Sequence, residues 1–222
     1  MRFLLHEQPY EKQVASGRLV YEQDGQPTGA VESWRLTNAA ASYRFLRVDV
    51  DGRAAASGNS SLFHLTLNAL GQPEQLKFRF FGPRQQVKGS VLFEGSTLVI
   101  VREVDGQGRQ EEIVTANHFW FPATMGLGLL AGLGGEGQVE AVMLDAAASF
   151  APRLVTLHYH EGQREMVEVM GKQWQTRPLT LTWAEQTRTL WLDAHHQPLL
   201  MARQDGLRGR ETRYIRYQDV LP

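Results

Sequence analysis

Apolar and polar side chains alternate with a period of two through most of this 222-residue chain, and turn residues interrupt the alternation every 8–12 residues. Successive side chains of an extended strand point to opposite faces, so the pattern calls for strands with one face buried and one exposed, joined by short turns. Ala30, Glu32, Trp34 and Leu36 fall on one side, with Val31, Ser33 and Arg35 opposite. Leu76, Phe78 and Phe80 share a face, and Lys77 and Arg79 oppose them. Turn signals stand at Asp24-Gly25-Gln26-Pro27, Asp51-Gly52, Gly82-Pro83, Glu94-Gly95 and Asp105 to Gly108. Strands are therefore expected over 18–23, 30–37, 43–50, 62–68, 75–81, 87–93, 97–104 and 110–115 in the first half. In the second they are expected over 139–145, 153–160, 166–170, 179–183, 188–193, 199–204 and 212–218. A short helix over 140–148 is the alternative to the strand at 139–145. Residues 1–15 lack a period and read as a loosely held arm.

The alternation stops at residues 118–137. His118, Phe119, Trp120 and Phe121 precede Pro122; Met125, Leu127, Leu129, Leu130 and Leu133 follow among glycines. Pro122 suits the first position of a short helix, and Gly134 and Gly135 suit its end. The two flanking halves match locally. Leu65-Thr66-Leu67-Asn68-Ala69 leading to Gln72-Pro73 aligns with Leu190-Trp191-Leu192-Asp193-Ala194 leading to Gln197-Pro198, at an offset of 125 residues. The expected fold is mainly β: a single domain, 1–222, with a strongly curved antiparallel sheet or half-open barrel. Two related meanders, about 16–115 and 139–218, build it, and a helical linker, 119–135, covers its concave face.

In the second half, Glu168 to Lys172 leads to Leu179 to Trp183, then to Thr189 to Asp193 and Gln197 to Leu200. Over residues 153–205 this resembles a loosely defined group of uncharacterised bacterial β-proteins whose architecture is similar to lipoprotein carriers. The resemblance implies a curved antiparallel sheet half-closed over helices. Its motifs are those of turns and strands, so it implies no catalytic residue.

Composition excludes several activities. The 23 basic and 24 acidic residues are mixed along the chain and leave a net charge of −1, without the concentrated positive field that a nucleic acid requires. There is no cysteine, which removes disulfides, thiol catalysis and cysteine–zinc sites. Residues 1–7 contain only three consecutive apolar residues, against the roughly 7–15 of a secretion signal, and no stretch reaches the ~18 of a membrane helix. The reading is a cytoplasmic protein without a membrane span.

Gly126, Gly128 and Gly132 imitate a dinucleotide loop, but no parallel strand–helix–strand unit surrounds them. Serines lie outside any nucleophile elbow, and Asp145, Glu165, Glu168 and Asp193 form no visible acid pair. His158 and His160 share a strand face, with His195 and His196 in a later turn; together they raise the alternative of a histidine-metal enzyme. The favoured reading has no catalytic residue, no metal and no cofactor. Phe119, Trp120, Phe121, Met125, Leu129 and Leu130 are instead the candidate ligand-binding residues, for an apolar small molecule or a lipid held between sheet and linker. The same segment could serve as a filled core or a homodimer contact.

Overall fold

The computed structural model describes residues 7–39 and 42–217. The first half forms eight strands: β1 (Lys12–Gln23), β2 (Gln26–Asn38), β3 (Arg44–Asp51), β4 (Ser60–Leu67), β5 (Pro73–Phe81), β6 (Gln86–Glu94), β7 (Thr97–Val104) and β8 (Gln107–Thr115). Then come β9 (His118–Trp120), the helical turn α1 (Thr124–Leu127), β10 (Glu136–Asp145) and β11 (Ala151–Glu161). The chain continues with β12 (Glu165–Val169), β13 (Lys172–Trp183), β14 (Gln186–Leu192), β15 (Pro198–Arg203) and β16 (Leu207–Arg216). The sheet runs from β8 back to β1, crosses to β16, and runs back through β15, β14, β13, β11 and β10 to β9, with β12 paired to β13 on the side. Among the described residues every pairing is antiparallel except β9 on β10. The β1–β16 pair joins the first strand to the last, and among the described residues the sheet does not close: β8 and β9 are its edges.

The turns follow from residue chemistry. Asp24-Gly25, Asp105-Gly106 and Met170-Gly171 all have both residues at positive φ, the backbone of a two-residue hairpin whose twist matches its strands. The corners at Asn68 and Asp193 are the same local structure. Asn68 Oδ1 accepts from the N–H groups of Leu70 and Gln72 at 3.0 Å each; Asp193 Oδ1 accepts from those of His195 and Gln197 at 2.8 Å each. A bulge precedes each corner, at Thr66/Leu67 and at Trp191/Leu192. Shifting β1–β6 by the same 125 residues overlaps each with a second-half strand: β10, β11, β13, β14, β15 and β16.

The inward faces carry the alternating apolar rows. Leu19, Trp34, Val48, Phe63, Leu65, Leu76, Phe78, Val91 and Ile100 build one cluster; Leu157, Leu179, Leu181, Leu190, Leu192 and Met201 build a second. What divides them is the sheet's own edge, rolled into the interior. Ala141, Val142, Met143 and Leu144 of β10 are all buried: Val142 and Leu144 face the first cluster, Ala141 and Met143 the second. Along β9, Phe119 points to the first and Trp120 to the second.

Three expectations need correction. The central segment is not a helix over 119–135. It is a three-residue strand, a four-residue α-turn and a 3₁₀ turn, Gly128–Leu130. Gly126 explains the tightness: a Cβ there would lie 2.1 Å from the Phe121 carbonyl oxygen, so the chain folds back more closely than a side chain allows. The arm is also held more firmly than a segment without a period suggests. Strand β1 begins at Lys12, and the enclosed Glu11 carboxylate takes two bonds from the Arg47 guanidinium, at 2.6 and 2.7 Å. Burial works against this charge, but Arg47, the Thr37 hydroxyl and the Gln8 amide outweigh it and hold the Glu11 carboxyl at about 2. Residues 1–6 of that arm, and residue 218 of the last strand, lie outside the described residues. Finally, the strand expected over 179–183 begins at Lys172. Its start was hidden by Pro178, which sits where β13 changes partner from β12 to β11 and donates no ladder bond. At 139–145 the strand prevails over the alternative helix. Among the described residues no helix is long and apolar enough to cross a membrane.

Candidate functional site

The six apolar candidates lie inside the rolled sheet. Phe121 is fully buried and stacks on Phe63, with centroids 4.4 Å apart. Phe119 meets Phe93 edge-on at 5.1 Å, and Trp120 meets Trp183 edge-on at 5.1 Å. Met125 and Leu130 are buried, and Leu129 is half-buried against the first cluster. They do not face one common space. Phe119, Phe121, Met125 and Leu129 pack into the first cluster, Trp120 and Leu130 into the second. The reason is the strand at 118–120, where successive side chains diverge, whereas a helix would have grouped them on one stripe.

Few backbone bonds secure this segment. Strand β9 pairs with β10 over three residues, and α1 is one turn long without a side-chain cap from its own chain neighbour. Its start is held from across the interior by Glu32 of β2. The Thr124 and Met125 N–H groups donate to the two carboxylate oxygens at 2.8 Å each, satisfying donors that a helix start leaves open. The Tyr21 hydroxyl donates to the same carboxylate and lies 2.7 Å from the Thr124 hydroxyl. Burial pushes the Glu32 carboxyl upward against the pull of these donors, and burial beside Glu32 raises the Tyr21 hydroxyl well above its usual range.

A second buried carboxylate lies on the other side of β1. Leu19 is flanked by Glu32 on β2 and by Glu211 on β16. Glu211 accepts from Trp34 Nε1 at 2.9 Å and from the Arg18 N–H. Burial, with a smaller contribution from Glu32, pushes it up to about 7. Gly17 makes room for the pair: a Cβ there would stand 2.4 Å from Trp34 Nε1 and 2.7 Å from a Glu211 oxygen. These two acids were not singled out as site residues in the sequence. The signal was present for Glu32, a charged residue in the row of Ala30, Trp34 and Leu36.

The four candidate histidines fall in two separate places. His158 and His160 border a shallow outer groove with Glu136, Thr180 and Thr182; His160 Nδ1 is 3.7 Å from Glu136, both exposed. His195 and His196 lie in the Asp193 corner, outside that lining. Among the described residues no group of three or more His, Asp or Glu side chains is placed to hold a metal ion. Asp193 is committed to its turn and to the Tyr214 hydroxyl at 3.0 Å.

No family model and no curated protein matches the sequence. Two solved structures resemble the fold. A β-barrel-like protein of domain of unknown function DUF1849 from Brucella abortus is 16% identical, with a TM-score of 0.55, over 93% of this chain and 97% of that one. A DUF1089 family protein from Pseudomonas aeruginosa is 11% identical, with a TM-score of 0.48, over 78% of this chain and 89% of that one. The first extends the β-barrel-like architecture to this chain. Neither is described as a lipoprotein carrier.

Proposed function

We propose that this protein is a non-catalytic binder of an apolar ligand such as a lipid, taken up inside the rolled sheet where residues 119–133 now lie. The observation that carries the reading is the way this segment is held. Three ladder residues, one α-turn and one 3₁₀ turn fasten its backbone; Glu32 holds its start, the Arg177 guanidinium donates to the Ala131 and Leu133 carbonyls at its end, and apolar contacts do the rest. Such a segment can yield to a ligand that replaces its apolar contacts, because the surrounding strands keep their own ladders. The ligand-facing residues are then Phe119, Trp120, Phe121, Met125, Leu129 and Leu130. The two meanders fit a duplication of one six-strand unit, with the plug supplied by the connection between copies.

The test is mass spectrometry of material extracted from the purified protein, followed by titration of delipidated protein with the neutral fluorophore N-phenyl-1-naphthylamine. Saturable binding, a change in Trp120 and Trp183 fluorescence and faster hydrogen exchange over 119–133 are expected. Absence of co-purified lipid together with unchanged exchange in that segment would overturn the reading. Complete burial of Phe121 and 3% exposure of Trp120 favour a second reading, in which the segment is simply core or supports self-association. A protein that sediments as a monomer at micromolar concentration and unfolds on Leu129→Asp, without binding the fluorophore, would establish the core role.

A further inference from the structure

The outer face of β4–β8 carries a groove that the interior reading does not use. Its volume is about 550 Å³, within the size range of small-molecule sites. Leu62 and Val101 give it apolar wall, and Lys77, Arg79, Lys88 and Arg109 stand around it against one carboxylate, Glu103. The cross-strand register stacks basic side chains. Arg79 lies directly opposite Lys88, and His64 lies opposite Arg47 on one side and Lys77 on the other. Like charges in directly opposed positions destabilise a sheet. Part of this is answered within the chain: Glu11 pairs with Arg47, and Glu103 is 2.8 Å from Lys88. The side chains of Lys77 and Arg109, both exposed, make no hydrogen bond or ion pair with the described residues. His64 Nε2 is buried without a hydrogen-bond partner among them. Burial, then the fields of Arg47 and Lys77 against that of Glu11, push this imidazole down to about 4.

We infer that this groove binds a small amphiphilic anion, an acid headgroup among Lys77, Arg79, Lys88 and Arg109 with its apolar body along Leu62 and Val101. The positive rim supplies attraction and the apolar wall supplies discrimination against inorganic anions. A free molecule rather than a membrane surface is the occupant, because the cations surround a concavity instead of forming a raised patch. The site is on the opposite face of the sheet from the plug, so it stands or falls separately from the interior reading.

The experiment is an NMR titration of the full chain with decanoate, kept below its micelle concentration. Decanol, inorganic phosphate and anionic phospholipid vesicles serve as separate arms. Decanoate is expected to shift resonances of His64, Lys77, Ser90 and Val101, and to raise the His64 pKa from about 4, since an anion above the ring favours the imidazolium. Decanol and phosphate are each expected to bind at least tenfold more weakly. Lys77→Glu with Arg109→Glu should lower decanoate affinity tenfold or more, and the pair Lys77→Gln with Arg109→Gln by less. Arg109 lies directly opposite Glu103, so the charge-reversed variant should melt somewhat below the parent, whereas both residues are exposed and the neutral glutamine pair should match it. The inference is overturned if decanoate shifts only residues 119–133, if decanol binds as well as decanoate, if the charge-reversed variant keeps its affinity, or if only vesicles bind.

Discussion

Replacing Glu32 with Gln tests whether one buried carboxylate fastens the plug. The carboxylate now answers three donors: the Thr124 and Met125 N–H groups and the Tyr21 hydroxyl. Glutamine keeps the shape but has one acceptor oxygen, and its amide N–H₂ must face a donor it cannot accept from. At least one backbone N–H is then orphaned, at about 1–3 kcal/mol, and the remaining bonds lose their charge assistance, at about 1 kcal/mol each. Relief of the buried charge offsets some of this, because burial already raises the Glu32 carboxyl. The net loss is about 2–4 kcal/mol, or roughly 5–15 °C in Tm for a chain of this length. Urea denaturation followed by circular dichroism gives the global figure. Amide exchange at residues 124–130 shows where the loss falls, with acceleration of about 30-fold or more. A variant within about 1 kcal/mol of the parent, with unchanged exchange at those residues, would refute the claim that Glu32 holds the segment in place.

Glu211 should give the protein a measurable pH signature. Its folded pKa of about 7 lies above the ordinary 4.5, so between those values the folded state binds more protons than the unfolded one. Its contribution to stability is therefore greatest below pH 4.5 and declines as pH rises to 7. His64, lowered from 6.5 to about 4, contributes with the opposite slope over part of the same window, so the Glu211 effect is read as a difference against Glu211→Gln. Relative to the parent, that variant should gain about 2–3 kcal/mol between pH 4.5 and pH 8 in urea titrations, and a constant difference would refute the assignment. Gly126→Ala should cost about 3 kcal/mol or more in the same assay, because its Cβ would meet the Phe121 backbone carbonyl at 2.1 Å; a loss below 1 kcal/mol would show that the turn can shift.

The legible part of this protein was whatever depends on neighbouring residues. Period-two rows such as Phe63-Leu65 and Leu76-Phe78-Phe80 report which face is buried, because side-chain direction in a strand is set by parity alone. Asp-Gly turns and the paired corners at Asn68 and Asp193 report where the chain reverses, because their bonds span at most four residues. The candidate segment was legible as apolar and covered, but its inner arrangement was not: Trp120 and Phe121 face different clusters because β9 pairs with β10 some twenty residues later. Glu11 on Arg47 and Glu211 on Trp34 join residues 36 and 177 positions apart, distances over which no local periodicity carries information. The sequence alone determined an antiparallel, alternating β-protein with an apolar interruption at its centre. Only the tertiary structure decided that β1 would join β16, that the β9–β10 edge would roll inward to divide the core, and that Glu32 and Arg177 would hold the two ends of the plug. Strand parity is a property of a few adjacent residues, whereas partner choice and the satisfaction of buried charge belong to the assembled whole.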